Sequence, residues 1–201
     1  MIILIIVIAL FLLLLSFLLN FYRDPERTIP KGNNIVSPAD GKIISIIDTG
    51  EKNIKISKGF LGKIKTYSKD VALECKVISI FMSPLDVHIN RAPISGKIVY
   101  ARHSKGRFFK AYDLEKSFEN EKNEIFIENK KIKIKVIQIA GFLARRIICN
   151  VKKNDSVDKG SRIGMISLGS QATIILPKNV KVKVKIGEKA KAGETIIASM
   201  K

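Results

Sequence analysis

The sequence predicts a mostly β protein: one β-rich body carried behind a single N-terminal transmembrane helix. Three observations predict it. The chain opens on an uninterrupted apolar run, its lysines alternate with β-branched residues, and glycine turns recur between short apolar segments. At 201 residues it has room for one domain with a sizeable core plus that appendage.

From Met1 to Leu19 every residue is apolar except Ser16, and no charged side chain comes before Arg23. As a helix the run spans roughly 28 Å, close to the ~30 Å hydrocarbon core of a bilayer. A cleaved signal peptide is the competing reading. The run has no basic leader, exceeds the usual ~7–15 apolar residues and is followed by no A-x-A site. Residues 1–20 are therefore read as a retained anchor and residues 21–201 as the domain. Arg23, Arg27 and Lys31 follow the run, an excess of cations that predicts a cell-membrane protein with its body on the cytoplasmic face. The net charge of +18 suits an anionic membrane surface, where each Lys or Arg contributes roughly 1 kcal/mol.

Nucleic acid is the rival partner for such a charge, but the lysines are dispersed rather than gathered on one helix. In Lys131–Val136 and Lys181–Ile186 they alternate with Ile and Val, the period of a half-buried strand with a solvated outer face. No nucleic-acid partner is expected. Cys75 and Cys149 stand alone without CxxC spacing, which argues against a metal site and for reduced, buried thiols.

Between Asn20 and Gly32 a polar connector contains Asp24-Pro25 and Pro30, which a continuing helix would not tolerate. Strands are predicted at 42–47, 76–81, 97–101, 125–128, 131–139, 146–151, 172–176, 181–186 and 195–199. Asn129-Lys130 is a hairpin turn, and Ala111–Asn123 is the best candidate for a short helix. Two internal echoes stand out. Pro38-x-x-Gly41-Lys42-Ile43 recurs as Pro93-x-x-Gly96-Lys97-Ile98. Val151-Lys152 with Gly160 and Ile163 recurs, at the same spacing, as Val184-Lys185 with Gly193 and Ile196. Repeated turn chemistry explains such echoes, and they also resemble the quasi-symmetric barrel-sandwich hybrids of lipoyl and biotinyl domains. The expected body is thus barrel-sandwich-hybrid-like, with one or two short helices.

His88, in Met82–Pro93, sits among apolar residues with Asp86, Asn90 and Arg91 nearby, and reads either as a structural imidazole or as a proton shuttle. His103 reads as a loop residue. Asp40 precedes Gly41 in a proline turn, where Asp is common for local reasons. Arg145 and Arg146 interrupt an apolar stretch and call for an anion, either a buried carboxylate or a substrate phosphate. Gly-Ser occurs twice, at Gly160-Ser161 and Gly169-Ser170. A chain of this length holds roughly one such pair by composition alone, so the pair itself carries no weight.

These segments together resemble the short-form phosphatidylserine decarboxylase proenzymes, a family shared with archaetidylserine decarboxylases. The carriers are Phe21–Arg27, Ser37–Gly41, Asp86–Pro93, Lys105–Phe108, Glu119–Asn123, Ala144–Ile147 and Gly164–Ser170, in order across nearly the whole chain. The resemblance selects Gly169-Ser170 as the cleavage site and leaves Gly160-Ser161 in a turn. It implies that Ser170 attacks the Gly169 carbonyl, that the chain divides into β (1–169) and α (170–201) chains, and that position 170 becomes a pyruvoyl group. This covalent cofactor would form a Schiff base with a serine phospholipid and accept the electron pair released with CO₂. His88 would protonate the carbanion, Asp40 would assist Ser170, and Arg91, Arg145 and Arg146 would bind carboxylate or phosphate.

One departure limits the carry-over. Long-form relatives place a second histidine where this chain has Arg91. A Ser-His-Asp assembly of Ser170 and Asp40 would have to recruit His88, or cleavage runs without a histidine base. Phe108, Phe109 and Phe142 read as core residues or as interface anchors. A homodimer is compatible with the sequence. The rival classes are a membrane-tethered barrel-sandwich adaptor, which lacks here its long helical hairpin, and a lipoyl-type carrier, whose lysine Lys201 would be the last residue rather than a hairpin tip.

Overall fold

A computed structural model describes residues 1–49, 54–57, 63–66, 70–106, 121–141, 146–167 and 170–200. Helix α1 (Ile2–Phe21) is the apolar run, long enough to cross a bilayer and exposed along nearly its whole length. It stops before Asp24-Pro25, with the Tyr22 and Arg23 amides donating back to Leu18 and Asn20.

The described strands are β1 (Asn34–Val36), β2 (Gly41–Thr49), β3 (Ile54–Ser57), β4 (Lys63–Thr66), β5 (Cys75–Met82), β6 (Ile89–Arg91), β7 (Gly96–Ser104) and β8 (Lys122–Glu128). They continue as β9 (Lys133–Ile139), β10 (Ile147–Cys149), β11 (Ser156–Val157), β12 (Arg162–Ile166), β13 (Ser170–Pro177), β14 (Lys181–Val182), β15 (Lys189–Ala190) and β16 (Ile196–Ser199). An eight-stranded sheet runs β11-β7-β8-β9-β13-β5-β2-β15. Two three-stranded sheets, β1-β16-β14 and β6-β12-β10, accompany it, and β3 and β4 pair as a hairpin. All pairings are antiparallel. The main core is an isoleucine-rich layer: Ile35, Ile43, Ile78, Ile80, Ile98, Ile125, Ile127 and Ile174 are all fully buried.

The internal echoes are a structural repeat. At one constant offset β1 and β2 match β6 and β7; at a second, β14, β15 and β16 match β10, β11 and β12. The hydrogen bonds repeat as well. Val36 N donates to Pro93 O and Arg91 N to Pro38 O; Gly193 N donates to Ser37 O and Gly160 N to Ala92 O. Gly160 and Gly193 both have positive φ, +86° and +79°, and meet under Ile29. A Cβ on Gly160 would lie 2.2 Å from Ile29 Cδ1, so only glycine fits. Strands pair within each half, while backbone hydrogen bonds such as Val36 N to Pro93 O and Arg91 N to Pro38 O tie the two halves together.

Nine predicted strands have observed counterparts, and the differences are physical. Strand 181–186 is cut to Lys181–Val182 because the Lys185 amide turns to the Glu188 carboxylate, although Val184 stays buried between exposed lysines. Lys122 and Asn123, placed at the end of the predicted helix, instead begin β8, paired to both β7 and β9; residues 111–120 lie outside the described set. Lys135 breaks the solvated-lysine pattern: it is 3% exposed, 2.7 Å from Glu124 and 4.8 Å above the Phe126 ring. Cys75 is buried and Cys149 half-buried, and they are not joined in a disulfide. The polar connector is strapped down. Arg91 and Arg162 bind Asp24, Arg162 also binds Glu26, and Arg27 binds Asp40.

Candidate active site

Ser170 is the first residue of β13, a strand held on one side by β5 and on the other by β9. It is fully buried opposite Met82, and its hydroxyl donates to Met82 Sδ at 3.6 Å. A thioether is a weak acceptor, so the hydroxyl is nearly unencumbered. The same sulfur receives Asn90 Nδ2 at 3.8 Å, an amide that also donates to Pro38 O. Behind Asn90 stands a line of buried amides: Gln138 Nε2 donates to Asn90 Oδ1 at 2.8 Å, and Asn123 Nδ2 to Gln138 Oε1 at 2.7 Å. Gly164 makes room for it, since a Cβ there would sit 2.9 Å from Gln138 Nε2. Such a line fixes the orientation of each amide in an otherwise apolar layer.

His88 precedes β6 and is fully buried. Its Nδ1 lies 2.8 Å from the Asp86 carbonyl, which can only accept, so the neutral ring carries its proton on Nδ1. Nε2 is buried and has no hydrogen-bond partner among the described residues. Burial holds the imidazole below its ordinary pKa of 6.5. The Asp86 carbonyl and carboxylate oppose the shift, Arg23 adds to it, and Asp40 weakly opposes it. The ring of Phe21 lies against the imidazole, centroids 4.2 Å apart. The His88 carbonyl accepts the Ile166 amide at 3.3 Å, and at most ~14 Å of chain leads from Ile166 to Ser170.

The other predicted residues divide. Asp40 accepts Arg27 Nη2 on both carboxylate oxygens, at 2.9 and 3.0 Å, and the Ala192 amide at 2.7 Å. Ser170, His88 and Asp40 are therefore not joined in one hydrogen-bonded relay; each makes its contacts elsewhere. Arg91 is buried, its fork held by Asp24, the Pro25 carbonyl and the Gly160 carbonyl. Arg146 is exposed, and its carbonyl accepts the Ser167 amide. Gly169, Arg145, Phe108, Phe109, Phe142 and Lys201 lie outside the described residues. His103 faces Glu121 at 2.7 Å on the surface.

Sequence reasoning missed Phe21, Met82, Gln138 and Arg27. Gln138 carried a signal, an amide inside an apolar strand. Phe21 carried none, because its partner lies 67 positions further along the chain. A cavity of about 610 Å³, lined by Tyr100, Arg102, Phe126 and Lys135 among others, opens on the opposite face of the sheet and includes none of the site residues.

Comparison with known proteins gives the arrangement a context. The family model described as phosphatidylserine decarboxylase matches residues 14–198. A protein of Methanocaldococcus jannaschii provisionally named as an archaetidylserine decarboxylase proenzyme is 46% identical over 188 residues, covering 92% of this chain and 90% of its own length. A phosphatidylserine decarboxylase proenzyme of Chlorobium phaeobacteroides is 46% identical over 182 residues, covering 90% of this chain and 78% of that protein. A second provisionally named archaetidylserine decarboxylase proenzyme, from Methanothermobacter thermautotrophicus, is 41% identical over 194 residues, covering 92% of this chain and 81% of its own. The match runs through the strands that bury Ser170 and His88, and the chain belongs to the phosphatidylserine decarboxylase family.

Proposed function

We propose that this chain is a membrane-anchored proenzyme that cuts itself between Gly169 and Ser170 and then decarboxylates a serine phospholipid. The observation that carries the reading is Ser170 itself. It is a buried, weakly engaged serine at the head of a strand clamped on both sides, close in the chain to the residue that binds His88. Ser170 Oγ attacks the preceding carbonyl, exchanging an amide for an ester. β-Elimination then separates the chains, expelling the Gly169 carboxylate and leaving a dehydroalanine at position 170, whose hydrolysis releases ammonia and leaves a ketone. Strands β13 to β16 belong to the α chain and pair with β5, β9, β2 and β1 of the β chain, so the two fragments remain assembled.

The site suits a pyruvoyl group at position 170. The hydroxyl now there has only a thioether to satisfy, so losing it as the side chain becomes a methyl group and the α-carbon a ketone strands no strong partner, and the Asn90 amide stands beside the same sulfur as a donor. When present, that ketone supplies the electron sink for loss of CO₂. His88, neutral with its proton on Nδ1, takes a proton from the substrate ammonium at Nε2 and returns it to the carbon that has lost CO₂. Asp40 serves by docking the connector through Arg27 and by its field at His88. Arg146, whose carbonyl accepts the Ser167 amide just before the cut, and its chain neighbour Arg145 are the proposed anion binders. Arg91 holds the connector through Asp24 and the Pro25 carbonyl. The anchor and the basic body keep the site at the headgroup layer of an anionic cytoplasmic leaflet.

Intact mass and denaturing electrophoresis of the purified protein test this. Two fragments divided between Gly169 and Ser170 are expected, the small one lacking a free N-terminal amine until reductive amination. Ser170→Ala should stay whole and release no CO₂ from phosphatidylserine or archaetidylserine vesicles. A wild-type chain that remains uncut and carbonyl-free overturns the reading. Supplying both lipids decides whether the tails are ester- or ether-linked.

A further inference from the structure

Helix α1 touches the body through its last residue. Phe21 is 5% exposed, whereas Leu18 and Leu19 before it and Tyr22 after it are 39%, 69% and 64% exposed. The Phe21 ring lands on the imidazole of His88, tilted at 40°, with Phe17 stacked behind it and the Tyr22 ring edge-on at 5.0 Å. The next residue bolts the same place from the other side. Arg23 Nη1 donates to Asn20 O at the helix end, and Nη2 donates to Leu85 O at 2.7 Å. Leu85 belongs to a tight turn closed by the Asp86 carboxylate on the Ser83 amide, and it is the Asp86 carbonyl that fixes His88 Nδ1–H. The anchor exit thus covers the ring and grips the turn that sets its tautomer.

We infer that Phe21 is a positioning residue for His88: docking of the anchor's last turn holds the imidazole and keeps its Nε2 edge out of bulk water, so the anchor completes the catalytic site as well as tethering it. The catalytic part of this statement rests on the decarboxylase reading; the positioning of the imidazole does not. Leu85 and Tyr22, both exposed at the same exit, put the covered edge beside the membrane surface from which a lipid would arrive.

The charged groups facing the imidazole are Asp86 on its own turn, Arg23 on the anchor exit and Asp40 on the turn before β2. Removing the Phe21 ring leaves all three in place and lets water in. Rehydration favours the imidazolium, so the titration of His88 moves up towards its ordinary value.

The test uses the full chain in detergent micelles, in the Ser170→Ala background, with ¹⁵N-labelled histidine. The protein has two histidines, and His103→Gln assigns the signals. Phe21→Ala should move the His88 titration upward, Phe21→Leu should restore it by keeping an apolar cover, and Tyr22→Ala should leave it unchanged. In the cleavable background, on mixed phosphatidylserine and archaetidylserine vesicles, Phe21→Ala should lower CO₂ release per cleaved chain about tenfold and shift the acid limb of the pH profile to higher pH. An unmoved His88 titration in Phe21→Ala, or an equal shift in Tyr22→Ala, overturns the inference whatever the activity. A wild-type enzyme that releases no CO₂ overturns the reaction assignment instead, and the titration still decides what Phe21 does.

Discussion

The two halves of the repeat have the same backbone and different contents. Strand β1 corresponds to β6 and β16 to β12, yet the residue before β1 is the exposed Asn33 and the residue before β6 is the buried His88. Both carbonyls accept an amide at the end of the matching strand, from Met200 just past β16 in one half and from Ile166 of β12 in the other. After β12 the chain leads within four residues to Gly169 and Ser170. The turns differ likewise. Ser95 Oγ accepts the Lys159 amide at 2.8 Å, as Asp40 accepts the Ala192 amide at 2.7 Å, but Asp40 alone also binds Arg27. A duplicated scaffold supplies rigidity twice and candidate chemistry once, so what matters for function is what was grafted onto one copy.

The comparison breaks most visibly at Asp40. Asp40→Ala leaves the buried Arg27 guanidinium with only Glu194, 3.9 Å away, and should lower unfolding free energy by about 3 kcal/mol in a denaturant titration. The double variant Arg27→Met/Asp40→Ser copies the Ser95 half and should recover most of that loss. If it still cuts at Gly169-Ser170, Asp40 acts by docking the connector; if it folds and stays whole, Asp40 takes part in the cut.

Gly160→Ala should cost about 2 kcal/mol, because its left-handed backbone and the Ile29 contact are both offended. Gly193→Ala should cost about 1 kcal/mol, since its nearest contact is a looser 3.1 Å. Equal losses would mean that Ile29 moves aside freely and that backbone strain alone is being measured.

Ser95→Ala removes one neutral hydrogen bond and should cost about 1 kcal/mol or less, well below Asp40→Ala.

The smallest effect is the pH dependence contributed by His88. Its folded pKa lies below the unfolded 6.5, so the unfolded chain binds more protons between the two values. Stability should therefore fall as pH drops below 6.5 towards the folded value and be level above it. His88→Gln should flatten that slope, whereas His103→Gln, on the surface, should leave it in place.

Much of the fold was legible along the chain because its causes are local. The apolar run, the alternation of Lys with Ile and Val, the proline stop after the anchor and the echoed glycines each act within a few residues, and each has an observed counterpart. Candidate chemistry was legible at Ser170 and His88 because the segments around them keep a recognisable order. What tertiary structure alone decided were the partners. Asp40 faces Arg27, Arg91 faces Asp24, Lys135 is buried over Phe126 and beside Glu124, and Phe21 at the end of α1 covers His88. None of these pairs is close in sequence except those on neighbouring β strands. Burial of a charge or an imidazole is set by what folds over it, and a sequence read along its length carries no record of which distant side chain arrives.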